Sequence, residues 1–267
     1  MENLKLNEKG LLYHLKQYRM KRYLKFFKET DSTNEVAKKL CSDGKGRNCV
    51  IIAASQTQGK GRRERSFFSP MGSGVYFSVV YELNSGYKNI DLISSVAGLA
   101  VRDSVYNMFG LNAKIKWPND ILINEKKLCG ILCEIVNEHN RPKYVIVGIG
   151  VNVEHIDFEG ELEYTATSIG NEYSGEIELD QNEIVIDIIN NLDRYILRSG
   201  LFTEDENTDI INRIKANSAT IDKMVRVITP DTEYDAKAID INIDGGLVVR
   251  GPVETTTLKS GEIVHLR

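Results

Sequence analysis

The stretch Gln56-Thr-Gln-Gly-Lys-Gly-Arg-Arg-Glu-Arg-Ser-Phe-Phe-Ser-Pro70 lies between two apolar runs, Cys49–Ser55 and Val75–Tyr81. Both runs have the length and composition of strands, so a β-sheet is expected to present the intervening loop. Gly59 and Gly61 allow the loop backbone to bend and to approach a ligand closely. The four cations of the loop are Lys60, Arg62, Arg63 and Arg65. Arginine forks match phosphate and carboxylate oxygens, so the loop is a candidate anion site; a solvated basic loop is the alternative.

The remainder of the chain predicts an α+β fold. Apolar residues at helical spacing extend over residues 90–109, and short β-branched runs separated by polar turns follow as far as Val151. Two further helices are predicted, at residues 181–199 and 204–217. From Met224 the pattern changes to short strands with turns such as Ser260-Gly261, which is typical of a small β-barrel.

These patterns divide the chain into three parts. Residues 1–22 are expected to form a charged, partly helical extension. Residues 23–219 are expected to form the main domain, a mixed sheet with helices packed on it, and residues 220–267 a small C-terminal barrel. Ser32 and Glu35 have the spacing of a capping box, which predicts that the Ser32 hydroxyl caps a helix at its start.

Composition and charge exclude several classes of function. The net charge of the 267 residues is −4, which supplies no broad positive field for a nucleic-acid backbone. The amino terminus lacks the apolar core of a signal peptide, and the longest apolar stretch, residues 92–101, is too short to span a bilayer. The four cysteines have no zinc or redox spacing, which indicates reduced thiols of a cytoplasmic protein.

Three further motifs carry polar groups or glycines at strand ends. Lys116-Trp-Pro-Asn-Asp120 places an amide and a carboxylate on a bend fixed by proline. Asp120 is a candidate magnesium ligand, because magnesium takes one or two carboxylates together with substrate phosphates; an ordinary turn is the alternative. Lys127-Leu-Cys-Gly-Ile-Leu132 has a glycine inside a strand, which often marks close approach of a ligand, and Gly148-Ile-Gly-Val-Asn152 ends another strand.

Taken in order, these motifs resemble the motif set of the biotin–protein ligases from about residue 24 to 218. The matching stretches are Asp31-Ser-Thr-Asn34, Gln56, Gly59–Arg65, Phe68-Ser-Pro70, Lys116–Asp120, Lys127–Leu132 and Gly148–Asn152. The resemblance implies the biotin–lipoate ligase fold, which is similar to class II aminoacyl-tRNA synthetases, and a C-terminal SH3-like domain. It further implies that biotin and ATP give biotinyl-adenylate, with magnesium, and that the biotinyl group passes to a lysine of a biotin carboxyl carrier domain of acetyl-CoA carboxylase or a related carboxylase.

The resemblance also implies roles for individual residues. The biotin contacts would be Ser32, Thr33, Asn34, Gln56, Lys60, Gly61, Arg62 and Lys127. The nucleotide contacts would be Arg62, Arg63, Arg65, Lys116, Asn119 and Asn152, and the metal ligand would be Asp120. Lys127, Arg62 and Lys116 would be the catalytic residues, with Lys127 nearest the reacting carboxyl. The four histidines, His14, His139, His155 and His265, fall outside the motifs and are interpreted as surface or packing residues.

Two residues depart from the family pattern. Lys60 stands where the family usually has arginine and loses the bidentate fork, and Glu64 stands where glycine is common. Only 31 residues precede Ser32, too few for the winged-helix domain of bifunctional members, so a monofunctional ligase without DNA binding is expected. A lipoate or octanoyl ligase of the same fold and a silent biotin-binding sensor are the alternatives.

Two expectations concern the surroundings of the site. The segment Val153–Ser168 matches a family loop that orders over the adenylate, which would shield it from water. The strand beginning at Lys127 is expected to be an exposed sheet edge, and a homodimer or carrier contact through this edge is possible, because unpaired strand edges template such contacts.

Overall fold

The computed structural model describes residues 5–83, 92–198, 204–229, 232–259 and 262–266. Its strands are β1 (Tyr23–Phe27), β2 (Cys49–Ala53), β3 (Gly74–Glu82), β4 (Lys114–Lys116), β5 (Asp120–Ile123), β6 (Lys126–Glu138), β7 (Arg141–Asn152), β8 (Met224–Ile228), β9 (Glu233–Ile241), β10 (Leu247–Arg250), β11 (Thr255–Leu258) and β12 (Glu262–His265). Its helices are α1 (Glu8–Gln17), α2 (Thr33–Ser42), α3 (Ile93–Phe109), α4 (Leu162–Thr165), α5 (Ile169–Glu172), α6 (Gln181–Asp193) and α7 (Glu204–Ala216). The predicted α+β class is confirmed.

The main sheet has seven strands in the order β1-β2-β3-β7-β6-β5-β4. The β1–β2 pair is parallel and the other pairs are antiparallel. Every residue of β2 is buried, because helices cover both faces of the sheet. Val50 and Ile52 face a core that includes α3 and α6, whereas Cys49 and Ile51 face the core under α2. The alternation follows from the two-residue period of a strand.

The hairpin of β6 and β7 forms the centre of the sheet. Its turn is tight, with His139 and Asn140 both at positive φ, as expected for a two-residue hairpin. The polar turn between the two strands is therefore only two residues long, and the strands extend to either side of it.

The structure corrects the predicted sheet edge at Lys127. Lys127 lies opposite Leu122 of β5, and Cys129 lies opposite Val151 of β7. The start of β6 is therefore in the interior of the sheet. The physical reason is the turn at Asn124 and Glu125, both at positive φ, which folds β5 back onto β6.

The predicted helices are present with shifted ends. The helix predicted from residue 90 is α3, and residues 90 and 91 lie outside the described part of the chain. The helix predicted at 181–199 is α6 followed by a π-helical turn at Arg194–Arg198. The short helix α4 lies within the segment Val153–Ser168, which was expected to be a loop, and the short helix α5 follows it directly. No helix among the described residues is long and apolar enough to cross a membrane.

The C-terminal strands form a separate five-stranded antiparallel sheet in the order β11-β10-β9-β8-β12. The short strands predicted from Met224 onward are therefore present. The turn predicted at Ser260-Gly261 lies outside the described residues. The segment before this sheet pairs with the main domain, because the Ile115 amide donates to the Asn217 carbonyl and the Ala219 amide to the Ile115 carbonyl, each at 2.8 Å. The exact boundary at residue 219 stays a prediction.

Candidate active site

A cavity of about 180 Å³ opens on the α2 face of the main sheet. Its walls are α2, the loop after β2, the β4–β5 turn and the centres of β6 and β7. The predicted site residues that line it are Ser32, Thr33, Asn34, Gln56, Lys60, Gly61, Arg62, Arg63, Arg65, Lys116, Asn119, Asp120 and Lys127. Ser66, Phe67, Trp117, Pro118, Gly130, Ile131, Leu132, Gly148, Ile149, Gly150 and Ile263 also line it. Asn152 is the predicted site residue that does not line this cavity.

The first part of the site, here named the polar floor, consists of Thr33, Asn34, Gln56 and Ser78. Oε1 of Gln56 accepts hydrogen bonds from the amide of Thr33 at 2.9 Å and from its hydroxyl at 3.2 Å. The Ser78 hydroxyl lies 2.7 Å from Oγ1 of Thr33 and 2.6 Å from Oδ1 of Asn34. All these groups are neutral, and Ser78 is fully buried. The floor is therefore already held together by its own hydrogen bonds.

The predicted capping role of Ser32 is wrong. Ser32 occupies the N-cap position of α2, but its side chain makes no capping hydrogen bond. Gln56, 23 residues along the chain, satisfies the amide of Thr33 instead. A tertiary partner thus replaces the local cap, and the Ser32 side chain lines the cavity.

Asn34 is fixed by the strands below it. Its Nδ2 donates to the Leu132 carbonyl at 3.3 Å and to Oε2 of Glu134 at 2.8 Å. Gly148 lies directly beneath, and a Cβ atom there would come 2.2 Å from Oδ1 of Asn34. The glycine is therefore needed because the asparagine occupies the space of its side chain.

The second part of the site, here named the basic loop, is residues 59–70. Its backbone is closed by hydrogen bonds from the Gly61 amide to the Arg65 carbonyl at 2.7 Å and from the Phe67 amide to the Gly59 carbonyl at 2.8 Å. A Cβ atom at Gly59 would come 2.4 Å from the Phe67 carbonyl. Arg63 adopts the left-handed conformation, with φ of 53°. The loop is thus a tight turn that spreads its cations in different directions.

The cations of the basic loop already have protein partners. Nζ of Lys60 lies 2.7 Å from Oε1 of Glu35, and Lys38 contacts the same oxygen at 2.8 Å. These two cations hold the pKa of Glu35 below its usual range, Lys38 contributing most. Arg62 reaches Oδ1 of Asn119 at 3.5 Å, and Arg63 donates to the Ile228 carbonyl at 3.1 Å. An anion entering the cavity would compete with these contacts.

The β4–β5 turn places its polar groups opposite the basic loop. Asn119 is held at both ends, because its Nδ2 donates to the Ile131 carbonyl at 3.0 Å and its carbonyl accepts from the Ile131 amide at 2.9 Å. The Trp117–Pro118 bond is cis, and the Pro118 carbonyl accepts from Ser94 at 3.0 Å. Lys116 and Asn119 therefore flank one rigid turn.

Asp120 and Lys127 form an ion pair in the cavity. Nζ of Lys127 lies 2.7 Å from Oδ1 of Asp120. This oxygen is buried, and at this distance the lysine ammonium is both its counter-ion and its hydrogen-bond donor. No cluster of three or more histidine, cysteine or acidic side chains suited to a metal occurs in the described residues. A cation at Asp120 would therefore depend on oxygens from a substrate, which is the usual arrangement for magnesium.

Phe67 is a site residue that the sequence reasoning missed. A Cβ atom at Gly150 would come 2.4 Å from its ring, and one at Gly130 would come 2.9 Å from it. Nζ of Lys127 lies 5.8 Å from the ring centroid. Both glycines are cross-strand partners in the β6–β7 register. The sequence signal for this contact was the presence of a glycine in each of two adjacent strands. The sequence alone does not show that the two glycines lie opposite each other.

Asn152 and the segment after it lie beside the cavity. Nδ2 of Asn152 donates to the Thr167 carbonyl at 2.9 Å in a buried position. The Thr167 amide in turn donates to the Lys127 carbonyl at 2.9 Å. The segment Val153–Ser168 therefore packs along the start of β6, and the nucleotide role of Asn152 stays a prediction.

Comparison with known proteins agrees with this fold. The family model for the biotin/lipoate A/B protein ligase family matches residues 26–152, and that for the biotin protein ligase C-terminal domain matches residues 220–266. The biotin-acetyl-CoA-carboxylase ligase of Mycobacterium tuberculosis (strain ATCC 25618 / H37Rv) is 30% identical over 92% of this chain and 90% of its own length. The bifunctional ligase/repressor BirA of Bacillus subtilis (strain 168) is 35% identical over 62% of this chain, which spans 51% of that relative.

Solved structures share the fold. The biotin protein ligase from Aquifex aeolicus in complex with biotin and ATP superposes with a TM-score of 0.75 and 24% identity, over 92% of this chain and all of that one. The fold and the site thus define a chain of the biotin/lipoate ligase class. The chain belongs to the biotin/lipoate A/B protein ligase family, and within it to the biotin protein ligases.

Proposed function

We propose that the chain is an ATP-dependent ligase that activates biotin as biotinyl-5′-adenylate and transfers the biotinyl group to a lysine of a biotin carboxyl carrier domain. The observation that carries the proposal is that one cavity joins a neutral polar floor, a loop of cations and the Asp120–Lys127 pair. A relative matched over most of its length is a biotin-acetyl-CoA-carboxylase ligase, which supports the same assignment.

In the first step an oxygen of the biotin carboxylate attacks the α-phosphorus of ATP. A new O–P bond forms, and the bond to the pyrophosphate oxygen breaks. Because both reactants are anions, fixed cations must neutralise the charge as it develops. We assign Lys127 to the reacting carboxylate, and Arg62 and Lys116 to the phosphate, since all three line the cavity. We assign the nucleotide contacts to Arg63, Arg65, Asn119 and Asn152.

We assign the magnesium site to Asp120. Its buried Oδ1 is paired with Lys127 at 2.7 Å, and a carboxylate has further lone pairs with which it can bind a cation. Bound magnesium would neutralise phosphate oxygens during the displacement. The negative charge of Asp120 would then be shared between magnesium and Lys127. The lysine ammonium would therefore be available to the biotin carboxylate.

The polar floor suits the ring of biotin. The ureido ring has donors and an acceptor, and a small cluster of fixed polar groups recognises such a ligand. Thr33, Asn34 and Gln56 provide this cluster, and Ser32, Lys60 and Gly61 border it. The glycines at positions 148 and 150 of β7 make room on the sheet for Asn34 and for the ring of Phe67, which line the cavity.

In the second step the ε-amine of a carrier lysine attacks the acyl carbon of biotinyl-adenylate. An amide bond forms, the acyl–oxygen bond breaks, and AMP leaves with the electron pair while the amine loses a proton to solvent. No enzyme nucleophile is required. We assign the shielding of the anhydride from water to the basic loop and the Val153–Ser168 segment, because the Phe67 ring of the loop lies 5.8 Å from Nζ of Lys127 and the Thr167 amide of the segment donates to the Lys127 carbonyl.

The test is the intact mass of a purified apo biotin carboxyl carrier domain after incubation with the protein, biotin, ATP and magnesium. One biotinyl increment that requires ATP would support the ligase. Lys127→Ala should abolish it, while Lys126→Ala should retain it, because Lys126 donates to the Glu163 carbonyl instead. An unmodified carrier despite tight biotin binding would instead indicate a silent sensor. A lipoyl increment in a parallel lipoate reaction would indicate a lipoate ligase.

Self-association and location are separate proposals. The interior position of Lys127 removes the edge assigned to it, but residues 131–138 of β6 extend beyond β5 and, among the described strands, pair with β7 alone. We propose that any homodimer forms there, and sedimentation with and without biotin and ATP would test it. A cytoplasmic location is supported by the free cysteines, three of which are buried.

A further inference from the structure

The β4–β5 turn is held from the C-terminal side of the molecule. The backbone amide of Trp117 donates to Oγ1 of Thr220 at 3.1 Å, and its indole Nε1 donates to the Gly245 carbonyl at 2.9 Å. Trp117 is 2% exposed and Thr220 is fully buried. Trp117 lies between Lys116 and Asn119, both of which line the cavity. Any movement of the Trp117 backbone therefore moves the two proposed nucleotide contacts.

Thr220 also connects this turn to the last strand. Its hydroxyl lies 3.1 Å from Nε2 of His265 in β12, the strand that contributes Ile263 to the cavity wall. Burial, with Lys116 adding to it, lowers the pKa of His265 to about 4. The imidazole is therefore neutral near pH 7, and placing it beside the Lys116 cation costs no charge repulsion.

The position of Thr220 is set by its backbone. The Asn217–Ala219 segment runs beside Ile115 of β4, with two hydrogen bonds of 2.8 Å. The Thr220 amide donates to Oγ of Ser218 at 3.0 Å. These contacts hold the backbone at Thr220 in place. The Thr220 hydroxyl is therefore fixed between the Trp117 amide and the His265 ring.

Packing alone does not account for a hydroxyl at this place. Valine has nearly the shape of threonine and fills a buried site without the cost of desolvating a hydroxyl. The hydroxyl is useful only through its two bonds, to Trp117 and to His265. Without it, the buried Trp117 amide would have no partner, which is the costly case for a hydrogen bond.

We propose that Thr220 and His265 are positioning residues that fix Lys116 and Asn119 at the nucleotide end of the cavity. This inference rests on the proposed function for its kinetic test. It gives the C-terminal sheet a specific role in the site. Loss of the hydrogen bond between the Trp117 amide and Thr220 lets the β4–β5 turn move, whereas the polar floor is unaffected. Loss of this hydrogen bond is therefore expected to change the KM for ATP and not the dissociation constant for biotin.

The kinetic test compares Thr220→Val with Thr220→Ser. Loss of a hydrogen bond to a buried amide is expected to raise the KM for ATP roughly tenfold and to leave the dissociation constant for biotin nearly unchanged. Thr220→Ser keeps the hydroxyl and should restore the KM for ATP. Lys215→Gln is the matched control, because it removes a contact of 2.7 Å with Asp240 between the two domains and away from the cavity.

A spectroscopic readout does not need the reaction. Trp117 is the single tryptophan of the chain, so intrinsic fluorescence reports directly on the turn. Thr220→Val should shift its emission to longer wavelength and increase quenching by acrylamide, and Thr220→Ser should reverse both changes. His265→Leu removes the other partner of the hydroxyl and should give a smaller change of the same kind, which provides a second variant if Thr220→Val does not fold.

The outcomes are distinct. An unchanged KM for ATP in folded Thr220→Val, an equal loss of biotin affinity, or the same loss in Lys215→Gln would overturn the positioning role. Failure of the wild-type protein to modify any carrier would instead refute the proposed function. In that case the fluorescence series would still decide the role of Thr220, and an unshifted emission spectrum in Thr220→Val would overturn it.

Discussion

The polar floor and the basic loop meet in one cavity, but their polar groups are held in different ways. In the floor, buried neutral groups bond to one another, and Ser78 and Thr33 are 0% and 4% exposed. In the loop, the Lys60 and Glu35 side chains that pair across it are 46% and 34% exposed. One region is held by the interior of the protein and the other by contacts that water and salt reach.

This difference has a physical consequence. Buried hydrogen bonds are costly to break because a partner left alone loses its hydration, so the floor keeps its geometry with or without a ligand. An exposed ion pair is worth only about 0–1 kcal/mol, so an incoming anion replaces it at little cost. The site is therefore preformed where a neutral ring would bind and exchangeable along the basic loop, where anionic groups of the substrates would bind.

The largest expected effect lies where the two regions meet, at Lys127. Lys127→Ala removes the cation nearest the reacting carboxylate in the proposed reaction, and we expect kcat/KM for carrier biotinylation to fall by roughly 10²–10³-fold or more. Lys126→Ala is the control on the neighbouring residue. Steady-state kinetics with a carrier domain measures both. A loss below about tenfold for Lys127→Ala would show that its charge is not used in the transition state.

The next prediction compares the two regions by adding a single methyl group beside each of them. In Gly148→Ala the new Cβ would meet Oδ1 of Asn34 at 2.2 Å, and in Gly150→Ala it would meet the ring of Phe67 at 2.4 Å. Asn34 is held by Ser78 and Glu134 and cannot give way, whereas Phe67 lies on the basic loop. Overpacking at position 148 should therefore cost about 1–3 kcal/mol of unfolding free energy.

Denaturant unfolding and calorimetric biotin binding check this pair of variants. Gly148→Ala should also lose biotin affinity, while Gly150→Ala should lose less stability because its obstacle moves with the loop. Equal losses in the two variants would contradict the claim that the floor is rigid and the loop adaptable.

A smaller effect is expected from the Ser78 hydroxyl of the polar floor. Ser78→Ala leaves Asn34 and Thr33 without their shared partner, and we expect a loss of about 1–2 kcal/mol in unfolding free energy together with weaker biotin binding. Ser104→Ala is a matched control, since Ser104 is buried and accepts from Asn191 at 2.8 Å. It should lose similar stability and keep its biotin affinity. Weakened biotin binding in both variants would mean that stability alone explains the effect.

How far the sequence predicts this molecule also differs between the two regions. The cations of the basic loop and the residues Thr33, Asn34 and Gln56 were identified because their order and spacing resemble a family. Ser78 and Phe67 were missed because their roles depend on strand register, with Ser78 opposite Gly148. A serine inside the apolar run Val75–Tyr81 was the available signal for a buried polar contact.

The errors have the same origin. The cap assigned to Ser32 follows a local rule, but the Thr33 amide donates instead to the side chain of Gln56, from a distant segment. The prediction of a sheet edge at Lys127 did not include β5 as a neighbouring strand. The two turn residues between β5 and β6 do not by themselves show that these strands pair. His265 was interpreted as a surface or packing residue, and its contact with Thr220, 45 residues earlier in the chain, is equally non-local. Non-local pairing decides each case, and composition does not contain it.

The smallest expected effect is on the Glu35 contacts of the basic loop. Lys38 and, less strongly, Lys60 hold the pKa of Glu35 below its usual range, so the stabilisation is present above the ordinary glutamate pKa and is lost as the pH falls through the folded value. Glu35→Gln should therefore lower the unfolding free energy at pH 7 by less than about 1 kcal/mol, less still at high salt, and not at all below the folded pKa.

Urea unfolding at neutral and acidic pH, each at low and high salt, tests this prediction. Glu82→Gln is the matched control, because Glu82 forms an exposed pair with Arg47 at 3.2 Å, remote from the cavity. Both variants should lose little stability, but only Glu35→Gln frees Lys60, a proposed biotin contact, and its affinity for biotin should fall more steeply with salt than that of the wild type. A loss of several kcal/mol in Glu35→Gln would mean that the basic loop is as rigidly held as the polar floor, and the contrast between the two regions would fail.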